Sequence, residues 1–191
     1  MKVLAVNGSA RKGGNTAIML EAALAPLRAA GIECELIELG KERVEGCRAC
    51  GACSKKKDRK CHGRDDFGNT VIKKMDQADA VLLGSPVYFA DVTAEMKALI
   101  DRAGYVARAN GDMFARKPGA GVIAVRRAGS VHALDTINHL FLIGQMLIVG
   151  SHYWNMGFGG AKGQVAEDEE GLDTMRILGE NMAWLLGKLH A

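Results

Sequence analysis

The sequence predicts a doubly wound α/β domain, a parallel sheet covered by helices on both faces. Short β-branched or apolar runs alternate with longer segments of helical periodicity, the pattern of successive strand–helix units. Most of those short runs are apolar on both faces, as strands buried between two helical layers must be. Glycine is abundant and proline scarce, 24 against 3 in 191 residues. The usual glycine share is about 7%, and the excess suits tight strand-to-helix turns with close backbone approach.

Lys2–Val6 (KVLAV) reads as a buried strand running into the glycine-rich NGSARKGGNT. In Thr16–Ala30, Ile18, Leu20, Leu24 and Leu27 approximate helical spacing and Gly31 stops the helix, with Pro26 expected to kink or end its last turn. Ile32–Leu39 alternates apolar residues with Glu, a second strand. An irregular cysteine-rich insertion follows at about 46–64. Asp66–Ala78 is a helix whose opening carboxylates, Asp65 and Asp66, suit the helix dipole. Ala80–Gly84 is a third strand, Ser85–Ala90 a loop, and Thr93–Val106 a helix with Thr93 as N-cap. Gly119–Val125 is the fourth strand, Arg126–Ser130 a loop and Val131–Gly144 a helix. Met146–Val149 is a short fifth strand; the loop SHYWNMGFGG leads to a closing helix, Glu170–Leu189. Without repeats or linkers, residues 1–191 form one expected domain.

Composition excludes several classes. Apolar residues are 48% and charged residues 25%, which rules out wholesale disorder. The longest mostly apolar stretch, Leu140–Gly150, is eleven residues broken by Gln145, short of the roughly 20 a bilayer crossing needs. Five apolar residues precede Asn7 at the N-terminus, too few for a secretory core, so a cytoplasmic protein is expected. The net charge of +3 is local: residues 54–64 hold six Lys or Arg against one Asp, +5, which leaves −2 for the remainder. That stretch has no aromatic residue and little area, so it is read as a solvated loop and not as a nucleic-acid site.

Two regions carry chemistry. The first turn lacks both G-x-G-x-x-G and a Walker Gly-Lys-Ser/Thr. It offers Ser9, Asn15, Thr16 and the Arg11 guanidinium at a helix N-terminus, a cradle for a monophosphate; helix capping by Asn15 or Thr16 is the plainer alternative. Four of the five cysteines fall between Cys47 and Cys61, a clustering that points to metal or redox chemistry when no disulfide framework is expected. Three close cysteines and a more distant fourth suit a 4Fe–4S cluster. Zinc and metal-free thiols remain open alternatives. Cys34 is read as a small buried hydrophobe.

GSARKGGNT resembles the phosphate loop of the flavodoxin-like NADPH-dependent FMN reductase family. Gly84–Phe89 (GSPVYF) is similar to that family's second flavin loop, Lys97–Arg102 (KALIDR) to the helix after it, and Val149–Asn155 (VGSHYWN) to its late aromatic loop. Cys47-x2-Cys50-x2-Cys53-x7-Cys61 resembles the compact motif of the iron–sulfur flavoprotein branch. The resemblance implies a flavodoxin-like five-stranded sheet of order 2-1-3-4-5, with FMN in the crevice between the first and third strands. It places Ser9, Arg11, Gly14, Asn15 and Thr16 on the phosphate and Pro86, Val87, Tyr88 and Phe89 on the ring. Gly129 lets backbone approach the flavin, and Cys47, Cys50, Cys53 and Cys61 hold the cluster. No side chain is assigned a catalytic acid or base role. An oxidoreductase moving electrons through FMN and the cluster is expected, as a homodimer or homotetramer, with NAD(P)H or an acidic carrier such as ferredoxin as candidate partners. A cluster-free NAD(P)H-dependent FMN or quinone reductase and a flavodoxin-type carrier are the alternatives.

Overall fold

The computed structural model describes residues 1–191. Strand β1 (Lys2–Asn7) lies between β2 (Glu33–Glu38) and β3 (Ala80–Pro86), with β4 (Pro118–Val125) beyond β3, all parallel. The order 2-1-3-4-5 is the one that the family resemblance implies. The last lane differs in detail: β5 (Leu147–Ile148) pairs with Pro118–Gly119, and a sixth strand, β6 (Met156–Phe158), pairs with Ile123–Val125. The aromatic segment read as loop therefore contains a strand. Three residues are too few to show a two-residue period; the pairing comes from β4.

Burial explains the architecture. Every residue of β4 is buried, and β3 is buried up to Pro86, so the central strands read as continuous apolar runs. On one face α1 (Asn15–Ala29) and α6 (Glu169–Leu189) contribute Leu20, Leu24, Leu178 and Met182. On the other, α3 (Phe67–Gln77), α4 (Ala94–Ala109) and α5 (Ser130–Ile143) contribute Ile72, Leu99 and Phe141. β2 is the edge strand and is partly solvated, which accounts for its alternation; Lys2 holds Glu35 at 3.0 Å and Glu33 at 3.3 Å. Pro26 does not end α1, which runs on to Ala29. It packs instead against α6 at Gly179, where an added Cβ would lie 2.5 Å from the proline ring.

The cysteine-rich insertion is not wholly irregular, since a short helix, α2 (Ala52–Lys56), forms within it. No helix is long and apolar enough to cross a membrane. The register pairs Asn7 with both Glu38 and Gly84, so the turns after β1 and β3 meet at one end of the sheet. The Gly8 N–H donates to the Gly84 carbonyl at 2.8 Å and joins them.

Candidate functional site

The turn after β1 is built by its own short side chains. Asn7 Oδ1 accepts from the Ser9 N–H (2.9 Å), Ser9 Oγ from the Arg11 N–H (3.1 Å), and Glu38 from the Gly13 N–H (3.1 Å). Gly14 lets the turn fold back on itself, since a Cβ there would lie 2.9 Å from the Arg11 carbonyl oxygen. α1 begins at once, with no side-chain cap and no acidic residue in its first turn. The capping alternative for Asn15 and Thr16 thus fails, and the first-turn N–H groups stay open to an anion.

Ser9, Arg11, Asn15 and Thr16 line one cavity of about 200 Å³ together with Pro86, Val87 and Tyr88. Thr16 is 1% exposed and its hydroxyl has no hydrogen-bond partner. A buried polar group left so costs about 1–3 kcal/mol, and natural sequences retain such a group mostly where a ligand or water completes it. Asn15 departs from expectation. Both amide hydrogens are committed, to the Gly159 carbonyl (2.8 Å) and the Ala161 carbonyl (2.9 Å), so it clips the segment after β6 over the turn. Arg11 donates to the Gly160 carbonyl at 3.2 Å. Sequence reasoning missed Arg126, Gly159 and Gly160 in this lining. The adjacent pair Gly159-Gly160 was the available signal.

The second turn also needs correction. The Val87 N–H is spent on the Ala124 carbonyl (3.0 Å) and the Tyr88 N–H on the Asp91 carbonyl (2.8 Å), so neither backbone donor is free for the ring. Phe89 (φ 48°) and Ala90 (φ 65°) are both left-handed, and the tight hairpin they form carries the fully exposed Phe89 ring at its tip. Phe89 and Gly129 do not line the cavity. Gly129 lacks a side chain for another reason: a Cβ there would lie 2.7 Å from Ala90 Cα, so it seats one loop on the other.

The four clustered cysteines converge. Cys47, Cys50, Cys53 and Cys61 all line a second cavity, of about 90 Å³. Cys47 and Cys50 are exposed, Cys53 is half-buried and Cys61 is buried. Asn69 holds Cys61 from both sides, accepting from its N–H and donating to its carbonyl, each at 3.1 Å. Gly63 leaves room for Cys50: an added Cβ would lie 2.8 Å from Sγ. Ala49, Lys57 and Arg59 have positive φ, and left-handed non-glycine backbone of this kind clusters at functional sites. No group of three or more His, Cys, Asp or Glu is placed to hold a single metal ion. His62 lines the cavity with its ring already engaged by Asp58 (2.8 Å) and Lys56 (3.3 Å). Cys34 lies apart, half-buried in β2, and burial pushes its thiol above the ordinary range.

Beneath the cysteines, Asp66 caps α3 through the Gly68 N–H (3.0 Å) and accepts from the Glu45 N–H (2.9 Å). It is also paired with Arg102, which is 1% exposed and lines the same cavity. Burial alone would raise the Asp66 carboxyl; Arg102 and the two N–H donors outweigh it and hold it below the usual range.

A doubly wound sheet with an anion-receptive turn at its switch point defines a flavodoxin-like nucleotide-binding architecture. Comparisons place the chain more closely. The profile of the NADPH-dependent FMN reductase family matches residues 1–161. The chain is 37% identical over 190 residues to an iron-sulfur flavoprotein of Methanocaldococcus jannaschii, covering 96% of each. It is 33% identical over 180 residues to an iron-sulfur flavoprotein of Methanosarcina thermophila, covering 92% of this chain and 90% of the relative. A flavodoxin from the domain Archaea superposes with a TM-score of 0.64 at 16% identity, covering 98% of this chain and 99% of that one, a likeness of fold alone. The chain belongs to the NADPH-dependent FMN reductase family, in its iron–sulfur flavoprotein branch. It is accordingly a flavin-dependent oxidoreductase with FMN as the family's cofactor.

Proposed function

We propose that this protein passes electrons between FMN bound at the β1–β3 crevice and a 4Fe–4S cluster held by Cys47, Cys50, Cys53 and Cys61. The observation that carries the reading is that all four cysteines line one cavity. The relatives' shared name, iron-sulfur flavoprotein, supports the same reading.

The unpartnered Thr16 hydroxyl supports FMN in the first cavity. In this reading Ser9, Thr16, Arg11 and the open first turn of α1 receive the phosphate, while Asn15 fixes the segment after β6 that closes over it. Gly14 shapes the turn, and Pro86, Val87 and Tyr88 wall the space for the ring. When bound, FMN and the cluster supply conversion between two-electron and one-electron transfer; the chain's own part is binding, orientation and charge. Arg59 and Arg64 of the basic loop are paired, to Asp76 and Glu45, whereas Lys55, Lys56 and Lys57 have no carboxylate partner. These three, on and beside α2, form the cation patch that steers an acidic carrier such as ferredoxin to the exposed cysteines; NAD(P)H is the alternative donor. The exposed Tyr105, Leu142 and Ile143, beside the groove between α4 and α5, are the proposed contact of a homo-oligomer. The free, solvent-reachable thiols suit a reducing compartment such as the cytoplasm.

Anaerobic purification of Cys50→Ser and Cys53→Ser tests the assignment. Both variants should lose iron and labile sulfide while retaining FMN. Full iron in either variant, or zinc in the wild type, would overturn it.

A further inference from the structure

Arg102 is the largest fully buried side chain, its charged head 0% exposed. One nitrogen, Nη1, is committed to the Asp66 carboxylate and, at 3.3 Å, to the Glu45 carbonyl. The other two, Nε and Nη2, are buried with no partner at all. These two share the side edge of the guanidinium, where their N–H bonds run parallel. Arg59 uses the same edge of its own guanidinium to grip Asp76, with Nε at 2.7 Å. In Arg102 that edge is empty, and Arg102 lines the cavity of the four cysteines.

A planar fork of two charged donors matches a pair of anionic acceptors. Leaving both donors buried and unpaired is costly. Gly68 makes room for the buried head, since an added Cβ there would lie 2.6 Å from Nη1. Asp66 satisfies part of the charge and fixes the plane of the guanidinium, so the free edge is held ready. The nearest anionic acceptors a filled cavity would supply are sulfur atoms: cysteine thiolates and the sulfides of a cluster.

We infer that the Nε–Nη2 edge of Arg102 is a two-pronged hydrogen-bond donor to sulfur in the cysteine cavity, and that it raises the reduction potential of the group bound there. This rests on the cluster reading above. Reduction adds negative charge that spreads over the sulfurs, and a buried cation with two N–H donors stabilises the reduced form more than the oxidised one. Arg102 is thus a positioning and tuning residue; the electron passes through the metal group.

Arg102→Lys keeps a positive charge for Asp66 but removes the parallel donor edge. The variant should bind as much iron, sulfide and FMN as the wild type, yet its cluster midpoint should be more negative in a spectroelectrochemical titration. Resonance Raman in D2O should show a deuterium shift of an iron–sulfur stretch in the wild type that is diminished in the variant. A fully loaded Arg102→Lys with unchanged midpoint and unchanged deuterium shift would overturn the role of Arg102 alone. Loss of iron with FMN binding and thermal midpoint retained would support it, as a donor needed for cluster retention. Loss of iron together with FMN binding and stability would assign Arg102 to the fold and overturn the inference. The double variant Arg102→Met/Asp66→Asn, which buries no charge, gives an independent check: a loaded cluster with a wild-type midpoint would also overturn it. Wild-type protein that takes up no iron or sulfide would remove the cluster reading itself, an outcome distinct from all of these.

Discussion

Replacing Thr16 with Val separates a ligand-binding hydroxyl from a structural one, because the two effects have opposite signs. Thr16 is 1% exposed and its hydroxyl is unpartnered. Its methyl group lies over Gly84, where an added Cβ would come within 2.9 Å of it. Valine has the same shape and removes only the polar atom. An unsatisfied buried hydroxyl costs about 1–3 kcal/mol, so flavin-free Thr16→Val should be more stable than the wild type by about 1 kcal/mol or more. For a chain of this length that is roughly 2–4 °C in Tm per kcal/mol. With FMN the sign reverses. A hydrogen bond to a charged acceptor contributes about 1.5–3 kcal/mol, so the Kd for FMN should rise about 10- to 150-fold. Scanning calorimetry of flavin-free protein and fluorescence titration with FMN read the two quantities, and riboflavin, which lacks the phosphate, should bind both proteins alike. A flavin-free variant no more stable than the wild type, with unchanged FMN affinity, would refute the phosphate role.

Gly63→Ala should lose iron while keeping FMN, because the new Cβ would lie 2.8 Å from Cys50 Sγ; iron and flavin analysis of one sample checks it. Replacing Lys55, Lys56 and Lys57 with Gln should lower the rate of reduction by ferredoxin at low salt and flatten its ionic-strength dependence, as expected when steering charges are removed; stopped-flow measurement across a salt series decides this. Asp66→Asn should cost about 3–5 kcal/mol at neutral pH, since it leaves Arg102 buried without its counter-charge. The folded-state Asp66 carboxyl is depressed, so its stabilisation is fully present above the unfolded value, about 3.9, and is lost as pH falls through the folded one. The urea-denaturation gap between wild type and Asp66→Asn should therefore be constant above about pH 5 and close below about pH 4; a gap independent of pH would contradict it.

Apolar runs made β1, β3 and β4 legible as buried parallel strands, and the resemblance of the first turn to the FMN reductase phosphate loop supplied the order of the sheet. β6 was not legible, since Met156–Phe158 owes its conformation to pairing with Ile123–Val125. Motif position brought Ser9, Arg11, Thr16, Pro86, Val87 and Tyr88 together around one cavity, and the four cysteines around another. Motif position does not say what each polar atom bonds. The Asn15 amide and the Val87 and Tyr88 N–H groups are consumed inside the protein, and Gly129 is glycine because Ala90 sits against it. Arg102 lay within a recognised motif, yet its significance depends on which two of its nitrogens are left unpaired, a fact of tertiary packing.

One preparation, purified without oxygen and assayed for flavin, iron, labile sulfide and zinc, tests most directly the claim that two redox groups share this chain. One FMN with iron and sulfide in equal amounts, about four of each per chain, is the expected result. Flavin without iron, or zinc in place of iron, would contradict it.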